Sequence, residues 1–158
     1  MTLRSVLHCA LCAAAFVFAS CSTHQSGEAI SRVKIYRMDP DKKPDAADPA
    51  IAFEHRHRLY GAVSEADRRA RKGNYYTFFW SVPDTSRPVT VKFEYRQSAT
   101  GFQTHQQNVV ITDVTKQNKT EFSVVGDAFR ENGRILGWRA TLVQGGKVVG
   151  EKKSYLWD

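Results

Sequence analysis

The chain has 158 residues, a formal net charge of +7 and three cysteines, Cys9, Cys12 and Cys21. No thiol follows Cys21, which excludes a disulfide framework, a cysteine nucleophile and a zinc–thiolate site beyond that point. Of the 23 lysines and arginines only Arg4 precedes Cys21, and all 16 acids follow it. From Cys21 onward the chain therefore has 22 lysines and arginines and 16 acids, a net charge of +6. A charge of this size is explained by solubility more readily than by an anionic partner.

The first twenty residues have the layout of a secretory signal. Arg4 is their only charged residue, and a mostly apolar stretch runs from Val6 to Ala19. This stretch is shorter than the roughly 18 residues that span a bilayer comfortably, and the polar residues 22–27 follow it. The sequence therefore predicts a cleaved signal peptide over residues 1–20.

The motif Phe18-Ala19-Ser20-Cys21 resembles the lipobox of bacterial lipoprotein precursors, although Phe18 stands where the family usually has Leu. The resemblance implies cleavage before Cys21 and acylation of its sulfur and its new amino group. Ser22 resembles the outer-membrane sorting context. We expect an exported protein with residues 21–28 as a lipidated polar tether, anchored to the outer membrane and facing the periplasm or the surface. The alternative is an ordinary secretory signal that is cut elsewhere, with Cys21 incidental.

Residues 29–158 have the length of a single domain. Its first half begins with an alternating segment, Arg32–Arg37, which predicts a strand. Residues 39–49 contain three prolines and four aspartates and predict a loop. Residues 51–63 are strand-like, and the capping pattern Ser64–Asp67 predicts a short helix that continues through residues 68–72 and is closed by glycine.

The second half is dominated by strand patterns. Tyr75–Val82 is apolar on both faces and predicts a central strand. Val89–Arg96 alternates without error, with Val, Val, Phe and Tyr inward. Gly145-Gly146 predicts a two-residue hairpin turn. Further strands are expected at 103–112, 120–124, 135–143 and 147–157.

Seven to eight short strands with one short helix predict a mainly β fold, an antiparallel β-sandwich. The closing hairpin, with Trp138 facing inward, is similar to those of immunoglobulin- and fibronectin-type modules, although the paired cysteines of antibody domains are missing. A small closed β-barrel is the alternative.

Two groups of residues are candidate ligand contacts. Tyr75 and Tyr76 open the aromatic strand and are the aromatic residues that we expect at the surface, where rings can bind sugars or a partner protein. The basic run, residues 67–72, could form a patch with Arg56 and Arg58 that binds an anionic glycan or lipid head group. Alternatively, the tyrosines belong to the buried core, and the basic run is the solvated face of a short helix. The candidate ligand-binding residues are Tyr75, Tyr76, Arg68, Arg69, Arg71 and Lys72.

No catalytic or metal signature stands out. His55 and His57 would share one face of the predicted strand, but they lack a defined third ligand, so no metal is predicted. Glu94 and Glu121 lie on predicted strands, where carboxylates that face water are commoner than an acid–base pair. No nucleophile elbow, HExxH helix or phosphate loop occurs, and we expect neither an enzyme nor a cofactor.

Two classes of function remain. The first is a non-catalytic interaction or structural module at a membrane, which contacts an unknown envelope protein through a sheet face or an edge strand. The second is a module that binds a carbohydrate or envelope polymer. An exposed row of aromatic residues would favour the second, and a bare sheet edge would favour the first. Nucleic acid is not an expected partner for an exported, tethered domain.

Overall fold

The computed structural model describes residues 29–44 and 48–157. The predicted signal peptide 1–20, the lipobox with Cys21 and the tether 21–28 lie outside the described residues. Seven strands occur in the described part: β1 Ile30–Met38, β2 Gly73–Trp80, β3 Val89–Gln97, β4 Thr104–Ile111, β5 Asn118–Val125, β6 Ile135–Gln144 and β7 Lys147–Lys153. The helices there are α1 Pro49–Leu59, α2 Glu65–Ala70, α3 Gly126–Asn132 and a closing 3-10 turn, Tyr155–Trp157.

The strands form two antiparallel sheets. One has the order β1-β2-β5 and the other β4-β3-β6-β7, so the chain crosses between sheets after β2, β4 and β5. The predicted antiparallel, immunoglobulin-like β-sandwich is confirmed. The alternative of a closed barrel is wrong, because the two sheets remain separate and each ends in two edge strands.

The core lies between the two central strands. On the inner face of β2, Phe78 packs against Phe93 of β3 with ring centroids 5.5 Å apart. Phe93 also stacks on Phe122 of β5 at 5.2 Å, and Trp138 of β6 meets Phe78 edge-on at 5.5 Å. All four rings are buried, as the alternation of β3 and the predicted inward position of Trp138 require. The apolar character of β2 therefore reflects a central strand.

Within the segment 51–63, predicted to be strand-like, residues 51–59 belong to helix α1 and residues 60–63 to the turn after it. The Asp48 side chain accepts hydrogen bonds from the backbone amides of Ala50 and Ile51, and Pro49 occupies the first helical turn. This cap supplies acceptors for amides that have no partner within the helix, and the proline ring is already set for helical φ. The prediction failed because the apolar residues of this segment do not mark the face that packs on the protein.

The sequence predicted one short helix, which is present, but residues 126–132 and the last residues of the chain differ from the prediction. The predicted helix is α2, and its capping box is confirmed by reciprocal bonds between Ser64 and Asp67 of 2.9 and 3.0 Å. Residues 126–132, for which the sequence predicted no helix, form α3. The last predicted strand ends at Lys153, after which the chain turns and buries Trp157 alone.

Phe93→Ala tests the position of the core. Phe93 is fully buried at the meeting point of the aromatic rings, so we expect a loss of about 3–5 kcal/mol in the free energy of unfolding. The control is Phe102→Ala, since Phe102 is 93% exposed, and its expected change is within about 0.5 kcal/mol. Urea unfolding followed by tryptophan fluorescence measures both, and equal losses would contradict this assignment of the core.

Candidate functional site

The predicted lipidation site cannot be placed, because Cys21 lies outside the described residues. Within residues 29–44 and 48–157, no helix is both long enough and apolar enough to cross a bilayer.

The predicted aromatic contacts are buried, which corrects the expectation that Tyr75 and Tyr76 reach the surface. Tyr76 faces inward and packs on Phe93 at 5.0 Å, and burial raises the pKa of its hydroxyl to about 12. Tyr75 faces the opposite side of β2, where Arg58 of α1 lies 4.2 Å from the ring centroid. Its hydroxyl donates to the carbonyl of Arg71 at 2.9 Å. Tyr76 lies in the core and α1 covers Tyr75, so neither ring offers a platform for a ligand.

The predicted basic run is largely bonded to its own chain. Arg68 donates to the carbonyl of Pro40 at 2.8 Å, and Arg71 donates to the carbonyls of Arg58 and Tyr60 at 2.7 and 2.8 Å. Lys72 pairs with two aspartates of the loop after β1, at 3.0 and 3.4 Å. These cations hold loops against the sandwich through hydrogen bonds and ion pairs. Because their charged groups are already bonded within the protein, the run does not form a single basic patch.

Arg69 differs from its neighbours because both it and its partner Glu65 are well exposed, 3.1 Å apart. With Lys72 it borders a cleft of about 570 Å³ between α2 and α3, whose apolar side includes Phe129. Arg130 on the far rim pairs with Asp127 at 2.8 Å. Because each cation of this cleft already has a carboxylate partner, its charges do not favour an anionic ligand.

A cluster of ion pairs joins α1 to the three-stranded sheet. Glu54 accepts bonds of 2.8 Å from Lys34 of β1 and from Arg58, one turn further along α1. Arg58 also holds both oxygens of Glu121 on β5, with one bond of 2.7 Å, and Thr77 of β2 donates to the same carboxylate at 3.4 Å. The cluster therefore connects the helix to all three strands of this sheet.

The pKa values of the cluster follow from these bonds. Burial raises the pKa of Glu54, but the bonds from Lys34 and Arg58 outweigh it and the net pKa lies below the usual value. The bond from Arg58 lowers the pKa of Glu121, and the bond from Glu121 raises that of Arg58. Since both carboxyl groups have depressed values in the folded state, they stabilise the fold when ionised and cease to do so as the pH falls.

The histidines do not form the pair considered from the sequence. Residues two apart on a helix point about 200° apart, so His55 and His57 lie on different faces of α1. The ring of His57 stacks on Phe53 with centroids 6.0 Å apart. Among the residues that the structure describes, no group of three or more His, Cys, Asp or Glu side chains could hold a metal ion.

The carboxylates considered for catalysis are separated by the sandwich. Glu94 faces outward from the four-stranded sheet and pairs with Arg139 at 2.8 Å and with Lys92 at 3.2 Å. Glu121 lies on the outer face of the other sheet, beneath α1. The two carboxyl groups therefore cannot act together as an acid and a base.

Strand β4 is an uncharged edge of the four-stranded sheet. In the described part of the chain it pairs only with β3, and its residues are alternately exposed and half-buried, with none fully buried. Its sequence, THQQNVVI, contains no Asp, Glu, Lys or Arg. Edge strands normally carry charges that prevent pairing with another chain. The absence of charge was visible in the sequence, but only the sheet order shows that this strand is an edge.

The chain matches no family model, and no curated protein or solved structure is significantly similar to it. The function must therefore be argued from the chain's own surfaces.

Arg58→Met tests the ion-pair cluster. It leaves Glu54 and Glu121 without their shared cation, so we expect a loss of about 3 kcal/mol in the free energy of unfolding at pH 7. In the native protein stability should fall as the pH drops below about 4.5, and this fall should be smaller in the variant. Chemical unfolding at several pH values measures both effects.

The control for this experiment is Arg69→Met, which removes an exposed i,i+4 pair and should cost less than about 0.5 kcal/mol. Equal losses in the two variants, or parallel pH curves for the native protein and Arg58→Met, would contradict a stabilising role for the cluster.

Proposed function

We propose that this chain is a lipid-anchored envelope protein that acts without catalysis, by binding an extended segment of a partner protein along the edge of β4. The observation that carries the proposal is that β4 is an edge strand without a single Asp, Glu, Lys or Arg. Addition of a strand to a sheet edge gives affinity through main-chain hydrogen bonds, and the alternating side chains give selectivity.

The other three edges support the choice of β4, because each carries charges that oppose strand addition. β7, the edge at the other side of the same sheet, also has an irregular register opposite Leu142 and Val143 of β6, and such a bulge bends an edge strand. The charged residues of these edges are Arg32, Lys34 and Arg37 on β1, Lys119 and Glu121 on β5, and Lys147, Glu151, Lys152 and Lys153 on β7.

The edge is also held rigidly, which favours recognition without a large ordering cost. Gln107 points inward from β4 and donates to the carbonyl of Ser123 on β5 at 3.1 Å, so the two sheets are bridged beside this edge. His105 stacks on Tyr95 of β3 with centroids 5.4 Å apart. A partner strand would therefore meet a preformed surface.

The alternative, a module that binds a carbohydrate or envelope polymer, has less support. The aromatic rings of β2 and the three tryptophans are turned inward or covered, with Phe79 only partly buried. The exposed aromatic residues do not form a row on a sheet: Phe102 lies in the turn before β4, Tyr155 lies in the last turn, and Phe53 and Tyr60 are seven positions apart along α1 and its cap. Scattered rings of this kind do not form the continuous platform that stacks on sugars.

The lipid anchor is tested with Cys21→Ala in cells that are given radiolabelled palmitate. The native protein should carry the label and pellet with membranes, because two or more acyl chains hold stably where one does not. The variant should lose the label. Cys12→Ala is the control and should keep the label, since Cys12 lies within the predicted signal; label on the Cys21 variant would refute acylation at this residue.

The binding edge is tested with a photocrosslinking amino acid at Val110 on β4 or at Val148 on β7. These valines are matched, because they lie on the two edges of one sheet and are 60% and 64% exposed. In the full-length protein, in its own cells, we expect one defined protein adduct from position 110 and none from position 148. Mass spectrometry identifies the adduct.

A second arm adds charge to the edge. Gln106→Lys with Asn108→Lys should reduce the adduct at least fivefold, because lysines on an edge oppose strand pairing. Gln103→Lys with Thr112→Lys adds the same charge just outside β4 and should leave the adduct unchanged. Equal crosslinking from both valines, or an adduct that survives the first pair of lysines, would overturn the β4 assignment.

A further inference from the structure

Helix α1 is inverted relative to an ordinary surface helix, which buries its apolar residues and exposes its charges. Its only acid, Glu54, is 8% exposed, and the side chain of Arg58 is buried beside it. Phe53 points about 100° or more away from both of them around the helix and is 61% exposed. Such an arrangement leaves an aromatic face without a partner in the described residues.

The exposed face has a consistent chemistry. Phe53, Arg56, His57 and Tyr60 follow one another at i, i+3, i+4 and i+7, the spacing of one helix face. Tyr60 is 85% exposed, and Val63 beyond it is also exposed. Residues 49–63 contain no acid other than Glu54, whose carboxylate forms ion pairs with Lys34 and Arg58. The outward face is therefore apolar and cationic.

This chemistry complements the surface of an anionic bilayer. Aromatic residues are favoured at the boundary between head groups and acyl chains, and arginine pairs with lipid phosphate. A partner protein with a matching pocket would also bury these rings, but an exposed arginine between two exposed rings, with no exposed acid within residues 49–63, favours an anionic surface that accepts both.

The position of the predicted anchor makes such contact frequent. Only the seven residues 22–28 separate Cys21 from the first described residue, a reach of about 25 Å when fully extended. A domain tethered this closely meets the bilayer at a high effective concentration, so a weak face can dock.

We infer that the outward face of α1, formed by Phe53 and Arg56 with Tyr60 at the C-terminal cap, docks on the anionic lipid surface to which the chain is anchored. The inference rests on the anchor in the proposed function and is independent of the β4 edge. The face lies flat on the bilayer: the rings enter the head-group boundary and Arg56 contacts phosphate groups.

Site-specific labels test this inference, because beyond Cys21 the chain contains no other thiol. An environment-sensitive fluorophore is attached to Phe53→Cys or Tyr60→Cys in the mature protein, and to Phe102→Cys or Tyr155→Cys as controls of 93% and 97% exposure. The protein is placed on vesicles of phosphatidylethanolamine and phosphatidylglycerol. We expect positions 53 and 60 to show a blue shift and at least threefold quenching by brominated lipid, and positions 102 and 155 to show neither.

A charge substitution separates the contribution of the lipid head groups. Arg56→Glu should lower the docked-to-undocked ratio of the label at position 60 about fivefold or more on the anionic vesicles. Arg130→Glu, at another exposed arginine, should leave it unchanged. Higher salt should reduce docking of the native face in the same direction.

The acylation of Cys21 is recorded first by mass spectrometry. Mature protein with Cys21→Ala, in which the introduced cysteine is the only thiol, is also added to the vesicles from solution, so a failure of the anchor and a failure of the face are distinguished. Equal behaviour of all four label positions would overturn the inference. So would shielding of positions 53 and 60 that occurs with solubilised membrane proteins and not with lipid alone, since the occupant would then be a protein.

Discussion

The fold depends on a strand that must be covered on both of its faces. The inner side of β2 is covered by the opposite sheet, but Tyr75 and Thr77 on its outer side are also buried, and α1 provides the cover. The helix is attached by charge: Arg58 joins Glu54 of its own helix to Glu121 of β5. Buried ion pairs stabilise a structure only when every member has its partner. The cover therefore depends on a complete set of side chains, drawn from a helix and three strands.

The parts of the fold that the sequence could predict are those with a strong local pattern. The alternation of Val89–Arg96 follows from a strand with one face in the core, and the capping box of Ser64 and Asp67 closes within four residues. Gly145 and Gly146 adopt positive φ values of 58° and 76°, as a tight hairpin turn requires. In each case the deciding interaction lies within a few residues in the sequence, so the pattern of a short segment predicts its structure.

The candidate sites could not be predicted in the same way, because their partners are distant in the sequence. Tyr75 is buried only because Arg58 and its helix lie above it, and the helix was mistaken for a strand since its aromatic residues face outward. The basic run resembled a ligand patch, but Arg68 reaches a carbonyl 28 residues away. The local signal for α1, a capping Asp48 before Pro49, was present and was obscured by a loop rich in the same residues.

The two proposed surfaces belong to different layers of the sandwich, and this separation lets them act together. The α1 face lies outside the three-stranded sheet, whereas β4 is an edge of the four-stranded sheet. Docking of α1 on a bilayer would fix an orientation of the domain that a lipid anchor alone would not impose. The β4 edge would then be presented from the layer further from the lipid. The rotational freedom of the domain would then be lost before a partner arrives, so the entropic cost of strand addition would be lower. A lower cost would favour binding at an edge of only eight residues.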